Sequence, residues 1–309
     1  MSRSRRTAKS LGRSLGLGLS RERLQPWQHL GMLTPFAHLS RTRINPEPPA
    51  QAMVLAAGRG ERMRPLTDQI PKPLLCVRGQ PLMQWPMQAL ARGGFVRQLV
   101  NTAWLGDQIP AHFGDLRHWP GLPEVHIRYS HEGHDFGRAL ETAGGIVRAL
   151  PSLDAVFWVV AGDVFAPDFV FNDQDLQRFA ASSALAHLWL VPNPMHNPGG
   201  DFGLSASGQV LNLTKGAPGC AHTFSTIALY KQAFFAHCGL PPGNPEGAAL
   251  TLAPLLRAAM DRGEVSGEVY AGHWTDVGTP ERLQQLNGSA TTVNPSAPTP
   301  NPFLSKMRP

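Results

Sequence analysis

The feature that most constrains the fold of this chain is a regular alternation of strand-like and helix-like segments. The strand-like segments are residues 51–56, 97–102, 125–130, 155–160 and 184–192, and the helical patterns lie near 81–93, 105–113, 142–150 and 173–182. Residues 156–160 read VFWVV, an apolar run without alternation that is typical of a strand buried on both faces of a parallel sheet. The alternation therefore predicts a doubly wound, mostly parallel α/β sheet, in which ligands bind beyond the carboxyl ends of the strands.

The pattern changes after residue 195, where short strand-like segments are separated by glycine and proline turns. The segments of this second part are strand-like 202–204, 210–213 and 224–230, a helix at 252–261, strand-like 265–275 and a last helix from Thr279. We expect this part to form a smaller mixed region that packs over the carboxyl edge of the sheet.

A glycine-rich loop directly follows the first strand-like segment. Residues 55–73 read LAAGRGERMRPLTDQIPKP. Gly58 and Gly60 have no side chain, so backbone N–H groups there can approach phosphate oxygens closely. The cations that accompany these glycines are Arg59, Arg62, Arg64 and Lys72. A strand, a glycine-rich loop and fixed positive charges together predict a site for a nucleoside triphosphate.

The loop differs from two common nucleotide-binding loops. A P-loop requires Lys followed by Ser or Thr, which these glycines lack, and the third glycine of a Rossmann fingerprint would fall at Met63. Instead, the loop resembles at every position the signature of the sugar-1-phosphate nucleotidyltransferases, L-A-A-G-x-G-x-R-[ML]-x-P-L-T followed by P-K-P. The resemblance implies a Rossmann-like nucleotidyltransferase fold and transfer of a nucleotidyl group to a sugar 1-phosphate.

Within that family, residues 51–288 most resemble the bacterial N-acetylmuramate 1-phosphate uridylyltransferases of cell-wall recycling. The matching strings lie at 60–67, 101–106, 128–130, 132–133, 140–142, 200–202, 252–257, 265–268 and 274–279. This resemblance implies a cytoplasmic, Mg²⁺-dependent enzyme whose partners are UTP and N-acetylmuramate 1-phosphate and which releases pyrophosphate.

The resemblance also implies roles for individual residues. Arg62 and Lys72 are the candidate catalytic residues: Arg62 holds the β- and γ-phosphates with the backbone of 58–61, and Lys72 bridges the α-phosphate and the incoming phosphate. The base lies against Ala56, Ala57 and the helix entrance at 141–145. The full set of candidate nucleotide-binding residues is Leu55, Ala56, Ala57, Gly58, Arg59, Gly60, Glu61, Arg62, Lys72, Asn101, Glu141, Thr142 and Gly144.

Two aspartates are the candidate ligands of Mg²⁺. Asp163 follows the buried strand 155–160, so its carboxylate should point at the ligand crevice. Asp276 lies in WTDVGT, which resembles the family's second metal motif. Mg²⁺ binds one or two carboxylates and otherwise keeps water and phosphate oxygens. Alone, either aspartate would also suit a turn or a helix cap, but their place beside a phosphate loop favours metal ligation.

The sugar site is assigned to the second part of the chain. The candidate contacts to hydroxyl or acetamido groups are Asn193, Asp201, Phe224 and Ser225, and Lys215 is the candidate partner of a substrate carboxylate. The sequence departs from the family's pattern at Ala161, at Ala143, at Thr226, where glycine is usual, and in an insertion at 134–138.

Positive charge is concentrated at the amino end of the chain. Residues 1–50 contain nine Lys and Arg and two acids, a net charge of +7 within a whole-chain charge of +6, so residues 51–309 carry −1. This distribution argues against nucleic-acid binding by the body of the protein. Cys76, Cys220 and Cys238 are widely spaced and odd in number, as expected for reduced thiols of a cytoplasmic protein. No apolar run approaches the roughly 18 residues that cross a bilayer, so we expect no membrane partner.

The composition divides the chain into three segments. Residues 1–50 are predicted to be a basic extension, either disordered or upstream of a translation start near Met53; a transit-like or amphipathic membrane-touching segment and a small accessory arm are alternatives. Residues 51–288 are predicted to form the nucleotidyltransferase domain. Residues 289–309 are rich in Asn, Pro, Thr and Ser and are predicted to be disordered.

Other functions stay open at this point. The loop also resembles those of mannose-1-phosphate guanylyltransferases and glucose-1-phosphate thymidylyltransferases, so it does not fix the base. A non-catalytic nucleotide-sugar sensor of the same fold is a further alternative, but Arg62, Lys72, Asp163 and Asp276 are all intact, which favours an enzyme. A nucleic-acid-binding protein would need a functional segment at 1–50.

Overall fold

The computed structural model describes residues 48–288. The segments predicted at 289–309 and, except for its last three residues, at 1–50 lie outside the described residues. The strands of the described part are β1 (Ala50–Leu55), β2 (Cys76–Val77), β3 (Gln80–Pro81), β4 (Arg97–Thr102), β5 (Leu116–Arg117), β6 (Val125–His131), β7 (Leu153–Ala161), β8 (Val164–Phe165), β9 (Ala186–Pro192), β10 (Gly203–Leu204), β11 (Val210–Leu211), β12 (His222–Lys231), β13 (Val265–Val269) and β14 (Thr275–Asp276). The helices are α1 (Gln84–Arg92), α2 (Gln108–Phe113), α3 (Glu132–Phe136), α4 (Glu141–Ala149), α5 (Asp173–Ala181), α6 (Leu252–Asp261) and α7 (Pro280–Gly288).

One large sheet organises these elements, with the strand order β13-β9-β12-β7-β1-β4-β6-β5. The pairs β1 with β4, β1 with β7, β4 with β6 and β9 with β13 are parallel. Strand β12 runs antiparallel to both of its neighbours, and β5 is an antiparallel edge strand. The sheet is therefore mostly parallel, which confirms the predicted fold class.

Helices cover both faces of this sheet. In β7, Trp158 and Val160 enter a core to which α1, α2 and α5 contribute, whereas Phe157 and Val159 enter a second core to which α4 and α6 contribute. All four side chains are buried, as the absence of polar alternation in this strand predicts. Burial of each such large side chain stabilises the fold by roughly 1.5–3 kcal/mol.

The second part of the chain differs from the expectation in one respect. Strands β12 and β13 do not lie over the carboxyl edge of the sheet but complete the sheet itself, with β12 inserted between β7 and β9. The strand-like pattern was visible at 224–230, but a pattern of apolar residues does not reveal which strand is the partner. The short hairpin of β10 and β11 remains outside the large sheet.

Two further findings bear on the sequence predictions. All three cysteines have free thiols. Among residues 48–288, no helix is both long enough and apolar enough to cross a membrane.

Candidate active site

A cavity of about 720 Å³ lies at the carboxyl ends of the central strands. Leu55, Asn101 and Ala161, which are paired neighbours near the ends of β1, β4 and β7, all line it. The loop that follows β1 and the start of α4 form further parts of the wall, and β12 and α6 complete it. Pockets of about 300–1,000 Å³ are typical of small-molecule sites. The cavity is where a doubly wound sheet is expected to bind its ligand.

The glycine-rich loop is folded back on itself by a few specific contacts. Gly60 has the left-handed φ of +67°, and a Cβ there would lie 3.1 Å from both the Lys72 Cβ and the Thr67 Cγ2. The Thr67 hydroxyl donates to the carbonyl of Gly60 at 2.8 Å, and the Met63 amide donates to the same carbonyl at 2.9 Å. Glycine is therefore required at position 60 by both conformation and space.

Lys72 lies between the two aspartates predicted to bind metal. The Lys72 side chain is largely buried, and its Nζ donates to Asp163 Oδ2 and lies 4.0 Å from Asp276 Oδ1. The backbone brings the two acids together, because β8 and β14 pair antiparallel with Asp276 opposite Val164, and the Val277 amide donates to the Asp163 carbonyl at 3.1 Å. One positive and two negative charges therefore lie close together at the carboxyl end of β7.

The two carboxylates also fit a divalent cation. Both lie within 4.0 Å of one ammonium group, so the two carboxylates face the same region. Asp276 is further held by Arg282, whose Nη1 donates to Asp276 Oδ2 at 2.8 Å. No group of three or more His, Cys, Asp or Glu side chains within residues 48–288 is arranged to hold a metal ion. A metal at Asp163 and Asp276 would thus need oxygen ligands from substrate or water, as Mg²⁺ commonly has.

The arginines of the loop occupy different positions. Arg59 lines the cavity, and its guanidinium carbon lies 3.2 Å from the ring centroid of Trp104, a cation–π contact. Arg62 is exposed, and its guanidinium lies next to the Asp276 turn: a Cβ added at Gly278 would be 3.2 Å from Arg62 Nη2. Gly60, Glu61 and Arg62 do not line the cavity.

A buried hydrogen-bond network fixes the wall beside β1 and β4. The Ala56 amide donates to Asn101 Oδ1, Asn101 Nδ2 donates to Glu132 Oε1, and the Leu140 amide donates to Glu132 Oε2, each at 2.8 Å. Burial raises the pKa of the Glu132 carboxyl, against the opposing effect of these hydrogen bonds. A Cβ at Gly145 would lie 2.5 Å from Glu132 Oε1, which explains the glycine. Glu132 was not predicted as a site residue, because its burial and its contact with Asn101 depend on the tertiary fold.

The candidate base site at the start of α4 is only partly at the cavity. Glu141 and Thr142 line it, and Glu141 has a left-handed φ of +61°. Gly144 instead packs against the 248–250 segment, where its amide donates to the carbonyl of Leu250 at 3.0 Å. Its role is therefore to allow close packing of α4 against that segment.

The candidate sugar-binding residues fall into two groups. Asp201 and Phe224 line the cavity, whereas Asn193, Lys215 and Ser225 do not. The Ser225 side chain is fully buried and donates to the carbonyl of Trp189 at 2.6 Å. Lys215 is exposed.

Asn193 is occupied by protein groups. Its amide nitrogen donates to the Cys220 carbonyl at 3.2 Å and its oxygen accepts from Thr223 Oγ1 at 3.0 Å. Thr226 lines the cavity with a left-handed φ of +61°, a conformation that favours the glycine usual at this position.

Comparison with known proteins identifies the family. Residues 51–213 match the nucleotidyl transferase family, and the chain belongs to this family. It is 44% identical over 246 residues to an N-acetylmuramate alpha-1-phosphate uridylyltransferase of Neisseria meningitidis serogroup B, an alignment that spans 78% of this chain and 98% of the relative. It is 30% identical over 252 residues to the Caulobacter vibrioides protein of the same description, covering 75% of this chain and 93% of the relative.

A solved structure supports the fold. A protein from Bacillus anthracis, described as a glucose-1-phosphate thymidylyltransferase in complex with sucrose, superposes with a TM-score of 0.61 at 18% identity. The match covers 80% of this chain and 98% of that protein.

Proposed function

We propose that the protein transfers the uridylyl group of UTP to N-acetylmuramate 1-phosphate and releases pyrophosphate. The observation that carries this proposal is the position of Lys72, which is buried between Asp163 and Asp276 beside a glycine-rich loop at the cavity. The 44% identity to an enzyme described by this reaction supports the choice of UTP and of the muramyl sugar. The reaction would return a cell-wall sugar to its nucleotide-activated form in the cytoplasm.

The bonds that change involve only phosphate groups. A phosphate oxygen of the sugar 1-phosphate attacks the α-phosphorus of UTP, one P–O bond forms, and the bond to the β-phosphate oxygen breaks so that pyrophosphate leaves with the electron pair. The nucleophile is already an anion, so no general base is required. The protein must therefore bring two polyanions together and stabilise the charge that shifts to the leaving group.

Lys72 meets both demands. Its ammonium is a compact charge at the carboxyl end of β7, held in place by Asp163 and close to Asp276. In this position it would contact the α-phosphate and the attacking phosphate at once and would reduce their mutual repulsion. The backbone amides near Gly58, together with Arg59 and Arg62, would bind the β- and γ-phosphates.

Asp163 and Asp276 would hold Mg²⁺. Bound there, the ion would neutralise charge on the phosphate oxygens during displacement. The two side chains are kept in place without the ion by the β8–β14 pairing and by Arg282.

The base would lie on the wall formed by β1, β4 and the start of α4. Ala56 and Ala57 are almost fully buried. Because their side chains are small, they leave room for a flat ring against the backbone. The Asn101 amide is already engaged on both sides, by Ala56 and by Glu132, so its orientation is fixed before the nucleotide arrives.

The proposal is tested by pyrophosphate release in the presence of Mg²⁺. UTP, dTTP, GTP and CTP are each combined with N-acetylmuramate, N-acetylglucosamine, glucose and mannose 1-phosphates. The proposal expects release to be fastest with UTP and the muramyl sugar. Faster release with another pair would overturn the substrate assignment but keep nucleotidyl transfer, and no release with any pair would point to a nucleotide-sugar sensor.

A further inference from the structure

We propose that Arg257 binds the carboxylate of the acceptor sugar and so makes the enzyme selective for an acidic sugar 1-phosphate. This inference rests on the proposed function and deepens it. N-acetylmuramate differs from N-acetylglucosamine by a lactyl ether that carries one carboxylate, so selectivity between the two requires recognition of that group.

Arg257 reaches the cavity from helix α6. Leu252, Ala253, Leu256 and Arg257 line the wall together, as their spacing along one helix face predicts. Three cationic residues line the cavity: Arg59 and Lys72 belong to the phosphate loop, and only Arg257 lies on another element. It is therefore the cation available to a charged group on the sugar.

The guanidinium of Arg257 is held entirely by uncharged oxygens. Its Nη1 donates to Asn212 Oδ1 at 2.6 Å and to the Leu213 carbonyl at 3.1 Å, and its Nη2 donates to the Asp201 carbonyl at 3.3 Å. Its carbon also lies 5.2 Å from the centroid of the Phe202 ring. These contacts fix the orientation of the side chain, and none of them neutralises its charge.

In the described part of the chain, the positive charge of Arg257 has no acidic partner. Within residues 48–288, no carboxylate lies within 4.0 Å of the Arg257 guanidinium. The nearby Asp201 directs its carboxylate elsewhere, since Oδ1 accepts from Asn197 at 3.0 Å and Oδ2 from the Phe224 amide at 3.0 Å. A partly buried charge is stabilised by an opposite charge, and a ligand carboxylate can supply it.

Arg257 also has N–H donors that residues 48–288 do not use. A guanidinium has five N–H donors, and the three contacts above leave Nε–H and one N–H of Nη2 without a partner in the described part of the chain. Such N–H groups are the donors with which arginine binds carboxylates. Lys215, the cation proposed from the sequence, is exposed and does not line the cavity.

The test compares kcat/KM for N-acetylmuramate 1-phosphate and N-acetylglucosamine 1-phosphate at saturating UTP. Loss of a hydrogen-bonded ion pair should cost about 10- to 100-fold. We expect Arg257→Met to lower kcat/KM for the muramyl sugar by that factor and to leave the other sugar within about threefold. Arg257→Lys keeps the charge but not the paired donors, so its kcat/KM for the muramyl sugar should lie between those of the wild type and Arg257→Met. Arg262→Met, at the exposed end of the same helix, is the matched control and should not change the ratio.

A change of substrate provides a second arm that does not depend on a variant folding. The methyl ester of the lactyl carboxylate removes the charge from the sugar. For the wild-type enzyme, kcat/KM should be the same 10- to 100-fold lower with this ester than with N-acetylmuramate 1-phosphate. For Arg257→Met, kcat/KM should differ little between the two substrates. A structural role for Arg257 would lower turnover of all three sugars alike.

The outcomes separate the two proposals. If the wild type prefers N-acetylmuramate 1-phosphate and Arg257→Met retains that preference, the Arg257 inference is overturned and the proposed function stands. Loss of the preference in a Lys215→Met variant, with the preference kept in Arg257→Met, would overturn the Arg257 inference in the same way. If the wild type does not prefer the muramyl sugar, both proposals fail.

Discussion

Replacement of Gly145 by alanine should destabilise the protein, although helix propensity predicts the opposite. Gly145 lies inside α4, where Ala is favoured over Gly by about 1 kcal/mol. The added Cβ, however, would lie 2.5 Å from Glu132 Oε1 and 3.0 Å from Asn101 Nδ2. Glu132 cannot move away freely, because the Leu140 amide holds its other oxygen at 2.8 Å.

The magnitude follows from the contact that must break. Displacement of Glu132 removes its hydrogen bond to Asn101, and a hydrogen bond to a charged group contributes about 1.5–3 kcal/mol. With about 1 kcal/mol regained from propensity, the net loss is about 0.5–2 kcal/mol. At about 2–4 °C per kcal/mol for a domain of this size, the melting temperature should fall by about 1–8 °C.

Differential scanning calorimetry and UTP titration together test this reasoning. The same displacement loosens Asn101, so we expect KM for UTP to rise while kcat changes less. Gly288→Ala is the control, since a Cβ there would meet no atom of residues 48–288 within 4 Å. A higher melting temperature for Gly145→Ala with an unchanged KM would refute the argument that the network is rigid.

Three further changes test other parts of the structure. Lys72→Met should lower kcat/KM by about 10²–10³-fold, as removal of a charge-stabilising donor does, with an unchanged circular dichroism spectrum. Thr226→Gly should raise the free energy of unfolding by up to about 1.5 kcal/mol in urea denaturation, since relief of about 1–2 kcal/mol at φ +61° is offset by glycine's entropic cost of about 0.5–1 kcal/mol. Burial raises the pKa of Glu132 in the folded state, so the wild-type protein loses stability as the pH rises from 4.5 through the folded pKa and Glu132 ionises. Glu132→Gln has no ionisable group at this position. The melting temperature of Glu132→Gln relative to that of the wild type should therefore increase over that pH range.

The parts of the fold that could be predicted from sequence are those set by local pattern. The apolar run of β7, the helix α6 and the loop ending at Lys72 each follow from residues adjacent in the chain. The insertion of β12 between β7 and β9 could not be predicted in this way, because strand partners are chosen by tertiary packing. The approach of Asp276 to Asp163 was indicated only by resemblance to a family, since the β8–β14 pairing spans more than a hundred residues.

The site residues missed by sequence share a physical reason. Glu132 accepts from the Asn101 side chain and the Leu140 amide, and Arg257 donates to the carbonyls of Asp201 and Leu213. These contacts depend on the tertiary fold, so the residues next to Glu132 and Arg257 in the chain do not reveal them. Lys215 has the right charge for a substrate carboxylate, but charge alone does not say which side of a loop faces a cavity. The left-handed conformation of Thr226 was indicated only indirectly, by the glycine expected there.

The most direct test of nucleotidyl transfer is ³¹P NMR of the full-length protein with Mg²⁺, UTP and N-acetylmuramate 1-phosphate. The account predicts that the sugar monoester resonance is lost while a nucleotide-sugar diphosphate and free pyrophosphate appear in equal amounts. Unchanged resonances, or release of orthophosphate while the sugar monoester persists, would contradict it.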